Sequence, residues 1–179
     1  MNFFTADLHF LHKNIIKFER GYFPDVDCMN RSMINIINEQ VRKGDNLFIL
    51  GDVALGSVHK ATELLEQVEA NILIVPGNHD TPKALKTYAK VAEILPPIYE
   101  LGDIVMCHFP LTVWNKSHLG NIHLHGHTHG SFQGKGKILD VGWDNVYKTY
   151  GVCQVLSEED IRDIMVSKEI YMPSHHSNN

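Results

Sequence analysis

Five short apolar runs in this chain each stop at a cluster of metal-ligating residues, and no other feature constrains the fold as much. The runs are Asn2–Ala6, Leu47–Leu50, Ile72–Val75, Ile104–Cys107 and Ile122–Leu124. The clusters are Asp7-Leu8-His9, Gly51-Asp52, Gly77-Asn78-His79-Asp80, Cys107-His108 and Gly126-His127-Thr128-His129. Short runs rich in β-branched residues suit strands buried in a sheet core. In α/β sheets, ligands collect in the crevice beyond the carboxyl ends of strands. Clusters that begin where strands stop therefore predict one shared site.

The rest of the chain fits an α/β domain. Asn30 to Arg42 places Met33, Ile34, Ile36, Ile37 and Val41 mostly on one helical side, and Gly44 ends it. Ser57 caps a second helix through Glu69, striped by Ala61, Leu64, Leu65 and Val68. Thr81-Pro82 starts a third, with proline at its first position. Ser157-Glu158-Glu159-Asp160 opens the last, as an imperfect capping box. Further strands are expected at Ile98–Leu101, Ile138–Val141 and Val152–Leu156, with Gly102-Asp103 as a tight hairpin. A chain of 179 residues, 44% hydrophobic and 21% charged, is long and apolar enough for one packed domain, expected over residues 1–172. The polar tail 173–179 is expected to fray, with His175 and His176 on the surface rather than as ligands.

Composition narrows the function. Lys plus Arg number 16 against 21 Asp plus Glu, a formal net charge of −5, which argues against a broad basic nucleic-acid surface. A nucleotide substrate stays open, because bound divalent cations reverse the charge of an acidic cleft. Cys28, Cys107 and Cys153 form no CxxC pair, so a disulfide framework or thiolate zinc knuckle is not expected. The start Met1-Asn2-Phe3-Phe4-Thr5-Ala6 is too short for a signal-peptide core, and no apolar run approaches transmembrane length. A soluble cytoplasmic protein without a membrane partner is the expectation.

Singly, the clusters are weak signals. Asp-x-His recurs by chance, and Gly-Asn-His-Asp is also ordinary turn composition. Two imidazoles in Gly126-His127-Thr128-His129, directly after a strand, need a stronger reason. Jointly the clusters supply aspartate, asparagine and histidine donors for two adjacent divalent ions. Such a pair at neutral pH most often cleaves phosphate esters. Mixed oxygen and imidazole ligands suit Mn, Fe, Zn or Ni better than Ca, with Mn placed first.

In order and content, D-x-H, G-D, G-N-H-[DE], H and G-H-x-H, the clusters resemble the signature of the calcineurin-like metallophosphoesterase family, from Asp7 to His129. The resemblance implies a four-layer α-β-β-α sandwich with a dinuclear site at one end of two sheets. It implies one metal on Asp7, His9, Asp52 and His129, the other on Asn78, His108 and His127, with Asp52 bridging. It also implies in-line attack of a metal-bridging hydroxide on phosphorus. His79 resembles the family histidine that protonates the leaving group, with Asp80 orienting its ring; a structural turn histidine is the alternative. Leu139-Asp140-Val141-Gly142-Trp143-Asp144 looks like the strand and turn that follow the last motif in compact members.

Three further residues are candidate substrate contacts. His12 and Arg20 follow the first motif on a segment that could overhang the metals, His12 being equally readable as a surface residue. Trp114 lies with Lys116 and His118 in a stretch without apolar periodicity, where it could stack a ring; core packing is the competing reading for Trp114 and Trp143. With no insertion large enough for a lid, the cleft is expected to be open. That favours a phosphodiesterase acting on a nucleotide, cyclic nucleotide or nucleic-acid end. A phosphomonoesterase and a non-catalytic binding platform are the alternatives, the last opposed by a complete ligand set.

Overall fold

The computed structural model describes residues 1–172; the tail beyond, with His175 and His176, lies outside the described residues. The elements run β1 (Asn2–Thr5), α1 (Ile15–Phe18), α2 (Val26–Gln40), β2 (Asn46–Leu50), α3 (Val58–Leu65), β3 (Asn71–Val75), α4 (Pro82–Tyr88) and β4 (Glu93–Ile94). They continue with β5 (Ile98–Leu101), β6 (Ile104–Cys107), a 3-10 turn (Ser117–Leu119), β7 (Ile122–His125), β8 (Ile138–Asp140), α5 (Trp143–Tyr150), β9 (Leu156–Ser157) and α6 (Glu158–Val166). The strands form two sheets, ordered β4-β3-β2-β1-β9 and β5-β6-β7-β8. In the first, β1 to β4 are parallel and β9 is antiparallel. In the second, β5 and β6 form the expected hairpin, and β6, β7 and β8 are parallel.

Side-chain alternation explains the layering. Phe3, Leu47, Ile49, Ile72 and Ile74 face α2, α3 and α4, packing with Met33, Ile37, Leu65 and Tyr88. Their neighbours Phe4, Phe48, Leu50 and Val75 point the other way, into Ile104, Met106, Ile122 and Leu124 of the second sheet. Buried on both faces, these strands are continuous apolar runs. The outer face of the second sheet is covered by residues 109–121, whose Trp114 packs on Val105 and Ile138. The α/β sandwich is therefore present with unequal outer layers, α2, α3 and α4 on one side and a loop with one 3-10 turn on the other, while Ile161 and Met165 of α6 join the core between the sheets.

Some boundaries depart from expectation. Helix α2 starts at Val26, because Asp25 caps it by accepting the Cys28 N–H at 2.7 Å. The expected strand Val152–Leu156 shrinks to Leu156–Ser157, since Ser157 already caps α6 in a complete capping box with Asp160. Residues 143–150, expected to be a turn at their start, form α5.

Candidate metal centre

All five clusters sit at the carboxyl ends of β1, β2, β3, β6 and β7, where the two sheets meet. The turns interlock through backbone. The Asp7 N–H donates to the Gly51 carbonyl at 3.0 Å, and the Gly126 N–H to the His108 carbonyl at 3.0 Å. A Cβ on Gly51 would lie 2.6 Å from Gly77 Cα, and one on Gly77 would lie 2.5 Å from the Asp52 nitrogen. Gly51 also has a left-handed φ of 82°, whereas Gly77 is needed for closeness alone. The candidate ligands themselves take unusual backbone: Asp7, His9, Asp52, His127 and His129 all have φ between 47° and 68°. Left-handed conformations of non-glycine residues are sparsely populated and concentrate at functional sites.

Two candidate metal-binding groups result, Asp7–His9–His129 and Asp52–His108–His127, each with ligand atoms within 4.8 Å of one another. Asp52 faces both. Its Oδ2 is 3.8 Å from His9 Nε2, and its Oδ1 is 3.5 Å from His108 Nε2. His108 Nδ1 lies 2.7 Å from the Leu50 carbonyl and must donate to it. In the neutral ring, Nε2 then presents a lone pair to Asn78 Oδ1 at 2.9 Å and to the Asp52 carboxylate. Three acceptors converging on one point fit a cation.

The first group fits one as well. His9 is buried, makes no side-chain hydrogen bond among the described residues, and leaves Nδ1 orphaned. Burial, aided by the Arg20 and His129 charges, pushes its pKa down to about 2, so the ring is neutral with a lone pair to give. Asp7 is buried too. Burial raises its carboxyl well above the usual range, against the pull of His129, and both its oxygens accept the His127 N–H at 3.1 and 2.9 Å.

Behind these candidate ligands lie carboxylates that hold them. Asp144 accepts from His129 Nδ1 at 2.7 Å, which turns Nε2 toward the site. Burial opposes ionisation of Asp144, but the hydrogen bonds from His129 and Arg20 hold it well below the ordinary range. The same pairing wins over burial at His129 and raises its pKa. Asp140 accepts from Thr128 Oγ1 at 2.7 Å, from the Gly130 N–H at 2.9 Å and from the Gly142 N–H at 2.8 Å, fixing the last motif. Neither aspartate is among the sequence-predicted site residues. A signal existed: Ile138-Leu139-Asp140 is another apolar run that stops at aspartate.

Three expectations are corrected. Arg20 does not overhang the cleft: it is fully buried, binding Asp144 at 2.7 and 2.9 Å and donating to the Asp7 and Leu8 carbonyls at 2.6 Å each. Asp80 does not orient the His79 ring, because its carboxylate is taken by the N–H groups of Asp52, Val53 and Gly77 at 2.8–3.1 Å. Trp114 is a core residue, donating its indole N–H to the Asn121 carbonyl at 2.8 Å and packing on His123. His12 and His79 do line the cleft, a groove of about 420 Å³. His79 is half-exposed, with Nε2 3.8 Å from Asp52 Oδ2.

An α/β sandwich with two Asp/His groups sharing one edge is the architecture of a metal-dependent phosphoesterase. Comparison with known proteins agrees: the profile of the calcineurin-like phosphoesterases matches residues 3–170, and the chain belongs to that family. It is 33% identical over 132 residues to the uncharacterised protein MJ1445 of Methanocaldococcus jannaschii, covering 72% of this chain and 69% of the relative. It is 30% identical over 159 residues to the Gene 66 protein of Mycobacterium phage L5, covering 70% and 76%. The fold matches a protein of unknown function, AQ665 from Aquifex aeolicus, with a TM-score of 0.62 at 20% identity, over 92% of this chain and 98% of that one.

Proposed function

We propose that residues 1–172 form one catalytic domain that hydrolyses phosphate esters at two divalent transition-metal ions, with phosphodiesters of nucleotide type as substrates. Asp7, His9, Asp52 and His129 would hold one ion; Asp52, Asn78, His108 and His127 the other, manganese being placed first in both. The observation that carries this is the Asp52 carboxylate, which faces His9 at 3.8 Å with one oxygen and His108 at 3.5 Å with the other. When bound, such ions make water nucleophilic at neutral pH and polarise phosphoryl oxygens.

The chain's own groups supply the rest. Hydrolysis joins a water oxygen to phosphorus and breaks the bond to the leaving alcohol, which must gain a proton. His79, half-exposed on the cleft, is positioned to give it, a contribution of roughly 10²–10⁴-fold. Burial first, then the neighbouring His79 and Arg20, lowers the His12 pKa and favours its neutral ring, whose N–H would donate to a phosphoryl oxygen. His79 and His127 are both exposed on the cleft, and an open cleft admits diesters. The three free cysteines suit the cytoplasm, and no helix among the described residues is long and apolar enough to cross a membrane.

The test is to strip the protein, refill it with Mn, Ni, Mg or Zn, and assay bis-p-nitrophenyl phosphate beside p-nitrophenyl phosphate. Metal-dependent turnover favouring the diester is expected; preference for the monoester would make this a phosphatase. Asp52→Ala should empty both metal positions on elemental analysis. His79→Ala should keep both ions and slow esters with poor leaving groups.

A further inference from the structure

Two exposed phenylalanines flank the candidate metal pair, one beside each half, and the mechanism above uses neither. Phe18 ends α1 at 74% exposure, while its neighbours Ile15 and Ile16 pack into the core. It lines the cleft beside the Lys148–Glu19 ion pair, and Lys148 Nζ also donates to the His129 carbonyl at 3.0 Å. That wall is thus tied to the Asp7–His9–His129 half. Phe109 follows β6 at 44% exposure. Its ring meets those of His127 and His108 edge-on, with centroids 4.7 and 5.0 Å away, which ties it to the other half.

A single exposed apolar side chain needs no explanation. One on each side of the same centre is different. Flat apolar faces bracketing a phosphate-cleaving site match a substrate with a ring system on either side of phosphorus. Bases stack on aromatic side chains without regard to sequence. The cleft that Phe18 lines, at about 420 Å³, is of nucleotide size, and Phe109 lies just beyond it, against the His127 ring that also lines it. A net charge of −5 argues against tracking a long phosphate backbone.

We propose that Phe18 and Phe109 are stacking platforms, one for the base on each side of the scissile phosphate, and that the substrate is a short nucleotide diester. This rests on the clusters being a phosphoesterase centre. The test compares thymidylyl-thymidine with methyl p-nitrophenyl phosphate, a diester without bases, on Mn-loaded protein. The ratio of their kcat/KM values should fall by at least about fivefold in Phe18→Ala and in Phe109→Ala, the lower end of what one stack contributes. Phe18→Leu, which keeps apolar bulk but no ring face, should fall with them. Val166→Ala, on exposed surface of α6, should leave the ratio unmoved.

A second readout needs no turnover. Calorimetry should show the loaded protein preferring adenosine monophosphate to inorganic phosphate, and Phe18→Ala or Phe109→Ala eroding that preference. Hydrolysis of both esters with ratio and preference intact in the phenylalanine variants would overturn the platforms while leaving the phosphoesterase standing. No hydrolysis with any metal, but a phenylalanine-dependent preference for the nucleotide, would uphold base stacking and overturn the phosphoesterase reading.

Discussion

A buried arginine shapes the site without reaching the cleft. Arg20 clamps Asp144 with its planar fork and ties down the carbonyls of Asp7 and Leu8, so one side chain braces the first candidate-ligand turn directly and His129 through Asp144. Arg20→Met preserves bulk yet leaves the buried Asp144 carboxylate with His129 as its one remaining side-chain partner among the described residues. Removing one partner of a buried pair costs about 3–5 kcal/mol, which urea unfolding of the metal-free protein should register. Arg20→Lys should rescue little, because an ammonium cannot reproduce the bidentate geometry. Asp144→Asn acts more gently, loosening the hold on His129. Metal affinity should drop by about 10–100-fold, as for other groups that orient a ligand histidine. Unaltered affinity in a metal titration would remove Asp144 from that role. The sequence reading places Arg20 near the cleft only because it follows the first motif. Its partner lies 124 residues away, and a buried long-range pair leaves no local signature.

At the level of elements, the turns after the strands were legible because each carries its chemistry locally: an apolar run, then a ligand, with glycine where backbones touch. The structure sharpens the role of those glycines. Gly77→Ala would drive a Cβ to 2.5 Å from both the nitrogen and Oδ1 of Asp52, with no flexible side chain to yield. Gly102→Ala, in the β5–β6 hairpin, meets nothing within 4 Å and bears only the strain of its φ of 61°. The hairpin variant should lose about 1–2 kcal/mol and keep its metals. The Gly77 variant should lose metal binding, visible as the absence of a Mn-dependent rise in Tm. Equal behaviour of the two would mean that the turns do not need their close contact. Helix α5 was illegible for a related reason: Gly142 offers its first turn no side-chain cap, so nothing marks the start. Helix α2 starts four residues before the apolar stripe that marks it in the sequence, because the stripe is clearer than the Asp25 cap.

Over the whole molecule, buried neutral histidines tie stability to pH. His123 faces out of the second sheet, fully buried; its Nδ1–H donates to the Val105 carbonyl and its Nε2 accepts the Leu111 N–H, each at 3.0 Å. It anchors the loop that covers this sheet, and both nitrogens are used in the neutral form. Burial lowers its pKa to about 4. The unfolded chain, with an ordinary imidazole near 6.5, therefore binds more protons between about pH 4 and 6.5. Stability must fall as pH drops through that window and level off below it. One such group contributes about 1.4 kcal/mol per pH unit, hence about 3 kcal/mol across the window. His9, also depressed by burial, adds to the same slope in metal-free protein. His123→Gln separates the two. Urea unfolding in chelator at pH 7.5 and pH 4.5 should show a smaller stability difference for the variant than for the parent chain. An undiminished difference would place the acid sensitivity at the other buried histidines whose pKa burial lowers, His9 and His125.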